Sequence, residues 1–276
     1  MMEMLGLNPV AGTLLATLFS WGMTALGAAT VFCFHKFSGR WLDLLLGFGA
    51  GVMLAASFWS LIVPAIEQSG SWLLPAVGIL FGGLFIQLSE FCLDFSNLMQ
   101  KNPSGKRSLL LILAVTLHNI PEGMAIGVAF GADSGMAPWI LALGIGLQNF
   151  PEGAAVSLPL KREGISSGRS FFLGQASGVV EPVAAMISVF IAMKLGGILP
   201  FLLAFSAGAM LVVIAGELLP EAAEHKREGI SGFLLGFLLM MVLDVALGCN
   251  FPADIDGNFS YHREGNTVEY RRGKDR

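Results

Sequence analysis

Apolar residues run in eight long stretches, at approximately residues 9–34, 41–66, 72–95, 108–131, 137–160, 170–193, 198–223 and 230–249. Each matches the roughly 20 residues that a helix needs to cross the hydrocarbon of a bilayer. No stretch alternates apolar and polar positions as a barrel strand would, so the pattern predicts helices throughout. The expected fold is all-α, an eight-helix transmembrane bundle folding as one unit over residues 1–249. Residues 250–276 break the pattern. They carry five basic and five acidic side chains and are expected to form a disordered extracytoplasmic tail. The first stretch has neither a basic n-region close before it nor a small-residue cleavage site after it, so it is not expected to be a cleaved signal.

Composition sharpens this picture. Hydrophobic residues make up 54% of the 276 and charged residues only 13%, against about 25% charged in soluble domains. That excludes a disordered chain, an ordinary cytosolic enzyme and a nucleic-acid binder. The 35 glycines suit helices whose backbones approach closely in a membrane. Cys33, Cys92 and Cys249 are too far apart to suggest a disulfide framework or a thiolate metal cluster.

Charge between the stretches sets an orientation. Loops 1, 3, 5 and 7 hold Lys36, Arg40, Lys101, Lys106, Arg107, Lys161, Arg162, Arg169, Lys226 and Arg227, whereas loops 2, 4 and 6 hold only Lys194. Basic loops stay in the cytoplasm. The reading is a multi-pass protein of the plasma or inner membrane with both termini extracytoplasmic.

An internal repeat accompanies this topology. Phe48-Gly-Ala-Gly-Val-Met-Leu54 in the second stretch recurs as Phe205-Ser-Ala-Gly-Ala-Met-Leu211 in the seventh, with Pro64 and Pro220 following at similar distances. Copies five helices apart run in opposite directions, which is the pattern of an inverted repeat in a transporter.

The chemistry lies mid-helix. His118-Asn119-Ile120-Pro121-Glu122-Gly123 in the fourth stretch is matched by Gln148-Asn149-Phe150-Pro151-Glu152-Gly153 in the fifth, and the sixth adds Glu181-Pro182. An ionised carboxylate at the bilayer centre costs about 2.5–3.5 kcal/mol, so three cost on the order of 8–10 kcal/mol unless compensated. No Lys or Arg lies near the middle of a helix. Interhelical hydrogen bonds, at about 0.6 kcal/mol each, compensate poorly. Either the carboxylates are protonated or a cation balances them.

Spacing favours the cation. His118 and Glu122 are four apart on one helix face, and Asn119 and Glu122 are three apart on an adjacent strip. Gln148, Asn149 and Glu152 repeat the arrangement. Facing helices would let the two glutamates bridge two metal positions, one flanked by His118 and Gln148, the other by Asn119 and Asn149, with Glu181 available to complete the second. Pro121 and Pro151 remove backbone bonds to Leu117 and Leu147 and free carbonyl oxygens close by. Gly123 and Gly153 are expected to let the fourth and fifth helices approach each other.

At these residues the chain resembles the ZIP (Zrt-, Irt-like protein) family of divalent metal transporters, near its bacterial GufA-like branch. The doubled [HQ]-N-x-P-E-G motif carries the resemblance, supported by the Gly-Val-Met-Leu-Ala-Ala-Ser run of residues 51–57 and by Glu181-Pro182. It implies an eight-helix bundle that moves zinc, or iron, manganese or cadmium, into the cytoplasm, with the ion as cargo and no cofactor. It implies one metal position formed by Met53, His118, Glu122, Gln148 and Glu152, and a neighbour formed by Asn119, Glu122, Asn149, Glu152 and Glu181. Met53 enters through the resemblance alone. Ser60 and Glu67 match positions at the extracytoplasmic entrance. Three departures stand out. Gly216 replaces a histidine common before the helix-seven glutamate, here Glu217. The segment from Ser96 to Ser108 lacks the histidines of many relatives. Asn149 stands where some bacterial relatives carry an aspartate, which weakens the second position.

Two other readings compete. An intramembrane metalloenzyme would need an activated water and a general base, yet His-Glu-x-x-His is absent and, of His35, His118, His225 and His262, only His118 falls in the membrane core. A proton-coupled carrier of organic substrate would keep the carboxylates protonated. The expected partners are divalent metal ions and the lipid bilayer, with no nucleic acid, and a homodimer is compatible with the sequence.

Overall fold

The computed structural model describes residues 8–33, 39–95, 103–132, 135–223 and 225–247. The tail expected over 250–276 lies outside them. Among the described residues there is no strand. Eight long helices follow one another: α1 Pro9–Cys33, α2 Gly39–Ser69, α3 Leu73–Phe95, α4 Pro103–Ala132, α5 Ala137–Arg162, α6 Ser167–Lys194, α7 Gly196–Glu221 and α8 Lys226–Ala246. Seven of them are long and apolar enough to cross a membrane; α5 is the exception.

The exception has a physical reason. Almost every residue of α5 from Ile140 to Leu160 is buried in protein, because the helix packs against α1, α2, α4, α6 and the end of α8. A helix with protein on nearly all sides does not need the lipid-compatible surface that the other helices present. The other helices expose Leu80, Leu88, Phe91, Phe172 and Leu235 outward, while Ser20, Asn119, Glu122, Gln148, Asn149 and Glu181 are wholly buried. The molecule is apolar outside and polar at its centre, as a bilayer solvent demands.

The pairing of helices follows the repeat. The most extensive contacts join α1 with α5, α4 with α6, α2 with α8, and α3 with α7. Exchanging α1 with α6, α2 with α7, α3 with α8 and α4 with α5 turns the first pair into the second and the third into the fourth. The two sequence copies of Phe48–Leu54 and Phe205–Leu211 therefore occupy equivalent places. Each leads into a widened π-helical turn, Ser57–Ile62 in α2 and Ile214–Leu218 in α7. A third such turn, Leu243–Leu247, ends α8.

Glycines set the spacing. A Cβ on Gly47 or Gly51 would run into the backbone of Gly229 or Phe233 in α8, and one on Gly232 or Gly236 into Leu44 or Phe48 in α2. Backbone thus meets backbone across α2 and α8, the close approach that small residues permit in membranes. At one end of that pair the buried Asp43 accepts hydrogen bonds from the backbone N–H of His225 (2.5 Å) and faces its ring Nδ1 at 2.7 Å. Arg40 and Glu228 approach to 3.8 Å nearby on the surface.

Candidate metal centre

Helices α4 and α5 cross the bundle interior with Pro121 and Pro151 inside them. Each proline lacks the N–H that would bond the carbonyl four residues back. The carbonyls thereby freed belong to Leu117 and Leu147, immediately before His118 and Gln148. The motif side chains sit where the helical ladder is already interrupted.

All the motif polar residues are buried, with His118 5% and Glu152 7% exposed and Asn119, Glu122, Gln148, Asn149 and Glu181 at 0%. They form a connected set. Gln148 Nε2 donates to Glu122 Oε1 at 2.7 Å, tying α5 to α4. Asn149 Nδ2 donates to Glu181 Oε1 at 2.7 Å, tying α5 to α6. Asn119 Nδ2 donates to the carbonyl of Ser177, one turn before Glu181, at 2.9 Å. Glu122 lies within charge–charge range of Glu152 and Glu181, and Glu152 within range of His118 and Glu217. The seven residues singled out in α4, α5 and α6 thus come together at one place.

The balance of donors and acceptors is lopsided. Asn119 Oδ1, Glu122 Oε2, Gln148 Oε1, Asn149 Oδ1 and Glu152 Oε2 are buried acceptors with no hydrogen-bond donor, and His118 Nε2 is likewise without a hydrogen bond. More than about 90% of buried polar groups in proteins are satisfied, and leaving one unmet costs about 1–3 kcal/mol. A cluster of orphans that are almost all oxygen acceptors is the complement of a hard or borderline cation. Oxygen and imidazole ligands suit zinc and its neighbours among the divalent metals.

Met53 is also fully buried, on α2. Gly49, one turn before it, faces the motif: a Cβ there would stand 3.7 Å from the Cβ of Gln148. Ser60 lies in the π-helical turn of α2 and donates to Asp244 Oδ1 of α8 at 2.7 Å. Glu67 is exposed, two turns further along α2.

The structure corrects one expectation and adds residues outside the two ligand sets expected from the resemblance. Gly123 and Gly153 do not seat α4 against α5. Gly123 rests on the backbone of Glu181 in α6, and Gly153 on that of Thr24 in α1. Under the exchange of helix pairs these are equivalent contacts, so Thr24 occupies in α1 the place that Glu181 holds in α6. Beyond the motif, Glu90 of α3 and Glu217 of α7 converge on His118, with ligand atoms of all three within 4.8 Å of one another. Glu217 Oε1 is 3.1 Å from His118 Nε2, though not aligned as a hydrogen bond. Ser20 of α1 donates to Glu181 Oε2 at 2.6 Å and accepts from Asn149 at 2.8 Å. Isolated carboxylates and a lone serine in three other helices leave no local pattern to read.

A membrane bundle that gathers carboxylates, amides and an imidazole in its interior has the makings of a cation carrier, since ionisable groups at that depth mark transport pathways. Comparison with known proteins agrees. A family model described as ZIP Zinc transporter matches residues 96–244. Zinc transporter ZIP11 of Bos taurus is 37% identical over 338 residues, covering 88% of this chain and 99% of the relative. Zinc transporter GufA of Myxococcus xanthus is 36% identical over 250 residues, covering 85% and 98%. Zinc transporter ZIPB of Bordetella bronchiseptica is 36% identical over 240 residues, covering 82% and 78%. The chain belongs to the ZIP zinc transporter family.

Proposed function

We propose that this protein carries divalent metal, zinc first, across the membrane and into the cytoplasm through the cluster of His118, Asn119, Glu122, Gln148, Asn149, Glu152 and Glu181, with Met53 beside it. The observation that carries the reading is the set of five buried oxygen acceptors and one imidazole nitrogen without donors, contributed by two antiparallel copies of one motif. The ion is the cargo, and the reading needs no resident cofactor. Glu122 and Glu152 stand between the two proposed positions and bridge them. Iron, manganese and cadmium offer charge and radii that the same ligands accept, so selectivity is read by competition against labelled zinc.

A carrier must release what it binds. One imidazole among carboxylates and amides holds a metal less firmly than the clustered histidines or thiolates of structural and catalytic zinc sites. Membership of a transporter family and the lack of His-Glu-x-x-His remove support from the enzyme alternative. The basic odd-numbered loops support a plasma or inner membrane location with extracytoplasmic termini, which puts Ser60, Asp244 and Glu67 on the entry side. A second copy of the chain is not required to complete the cluster.

The test is zinc uptake into sealed proteoliposomes of controlled orientation, comparing the intact protein with Glu122→Ala, His118→Ala and Glu152→Ala. Strong loss of flux in variants that still fold is expected. Normal flux in all three would overturn the assignment.

A further inference from the structure

We infer that Ser20, on a helix outside the repeated motif, is a positioning residue that holds Glu181 and Asn149 in the geometry that receives a metal at the second position. The inference rests on reading the cluster as the transport site. It extends that site to α1.

The hydroxyls of α1 give the first argument. Thr13 donates to the carbonyl of Pro9, Thr17 to that of Thr13, Thr24 to that of Ser20 and Thr30 to that of Gly27. Each spends its proton on its own helix, the usual habit of hydroxyls in helices. Ser20 does not. Fully buried, it reaches across the bundle to Glu181 Oε2 at 2.6 Å.

Three bonds then close a triangle. Ser20 Oγ donates to Glu181 Oε2, Asn149 Nδ2 donates to Glu181 Oε1 at 2.7 Å, and the same Nδ2 donates to Ser20 Oγ at 2.8 Å. An amide nitrogen has two hydrogens, and both are used. Turning the amide over would break two bonds at once, so Asn149 Oδ1 is fixed as a bare acceptor. The carboxylate is held at both oxygens, each with a lone pair remaining for a metal. An aspartate at 149 could supply neither bond as donor, so the serine and the amide work as a unit.

The internal repeat gives an independent argument. Glu181 and Thr24 are equivalent through their glycine contacts, and one turn before each stand Ser177 and Ser20. Asn119 is held by the backbone carbonyl of Ser177, Asn149 by the side chain of Ser20. The same anchoring duty recurs in both halves, and only in α1 does it depend on a side chain that mutation can remove.

Outer partners of metal-ligating groups typically contribute about 10–100-fold in metal affinity or activity. The experiment uses the purified full chain in detergent, stripped of metal and titrated calorimetrically with zinc, for the intact protein, Ser20→Ala, Glu181→Gln, the double variant and Ser20→Thr, which keeps a hydroxyl but, being β-branched, shares it with the carbonyl of its own helix. Ser20→Ala is expected to weaken the binding that Glu181→Gln also weakens, by about 10–100-fold, and to add nothing in the Glu181→Gln background. Ser20→Thr should lose less, in the same direction, and covers the case in which Ser20→Ala does not fold. An equal loss in both backgrounds would mean a merely structural role and overturn the inference, as would unchanged affinity. If zinc binding by the intact protein does not respond to Glu122→Ala and His118→Ala, the transport-site reading falls and takes this one with it. If it responds to those and not to Ser20→Ala or Ser20→Thr, this inference alone falls.

Discussion

Replacing Gly123 by alanine adds one methyl group at the contact between α4 and α6. Built on the present backbone, that Cβ lies 2.8 Å from the Cα and 2.9 Å from the carbonyl carbon of Glu181. Carbon atoms pack best at about 3.5–4.0 Å, so α6 must retreat by roughly 1 Å at this level. The neighbour is backbone and has no flexible side chain to turn aside. A retreat of that size would stretch the 2.7 Å bond from Asn149 to Glu181 beyond hydrogen-bonding range and pull one carboxylate out of the cluster. Overpacking of this kind costs about 1–3 kcal/mol of stability, and a 1 Å misplacement in a functional site can cost about 100-fold in rate. The expected outcome is a folded protein, slightly lower in melting temperature, with zinc uptake into proteoliposomes reduced by one to two orders of magnitude. Gly22→Ala is the control, because nothing lies within 4 Å of a Cβ there. Uptake by Gly123→Ala at the level of the intact protein would refute the claim that α4–α6 spacing holds the metal ligands in register.

Three further outcomes follow from other parts of the molecule. A Ser104→Cys variant, in a background without Cys33, Cys92 and Cys249, should be labelled only from the cytoplasmic side; labelling from outside intact cells would invert the topology. On the proposed ligand set protons and metal compete for the same imidazole and carboxylate atoms, so apparent affinity for zinc should weaken as external pH falls from about 7 to about 5, with the rate restored by more metal; an affinity flat across that range would require another ligand set. His225→Ala removes the ring partner of the buried Asp43 and should destabilise the α2–α8 end of the bundle by about 1–3 kcal/mol, read as a lower denaturation midpoint in detergent, whereas an unchanged midpoint would deny that this contact holds the two helices together.

Much of the fold was legible because a bilayer imposes a length. The stretches read at 41–66, 170–193 and 198–223 became helices Gly39–Ser69, Ser167–Lys194 and Gly196–Glu221. The π-helical turns at Ser57–Ile62 and Ile214–Leu218 were not legible, since Ser57, Ser60 and Glu217 are too few among apolar neighbours to form a stripe whose local slip could reveal an extra residue. The motif residues of α4, α5 and α6 declared themselves through cost: carboxylates repeated at mid-membrane need a purpose. Ser20, Glu90 and Glu217 carry no such signal. None belongs to a repeated motif, and only the packing of distant helices brings each to His118 or Glu181. The partners of Gly123 and Gly153 were misjudged for a related reason. Sequence identifies a residue small enough for close approach but not the helix that approaches.

The exchange that relates the two halves of the bundle has a consequence for how the protein distinguishes one side of the membrane from the other. Within the cluster, Asn119 answers to Asn149, Glu122 to Glu152, Gly123 to Gly153 and Ser177 to Ser20. On the proposed reading, an ion between them would meet nearly the same surroundings from either side. The correspondence fails at two pairs, His118 against Gln148 and Glu181 against Thr24. Much of the vectorial character of this centre is therefore concentrated in one imidazole set against a carboxamide and one carboxylate set against a hydroxyl. The gradient alone decides the net direction of a passive flow; what these two mismatches shape is the profile of barriers on either side of the midpoint, and with it the relative speeds of loading and release.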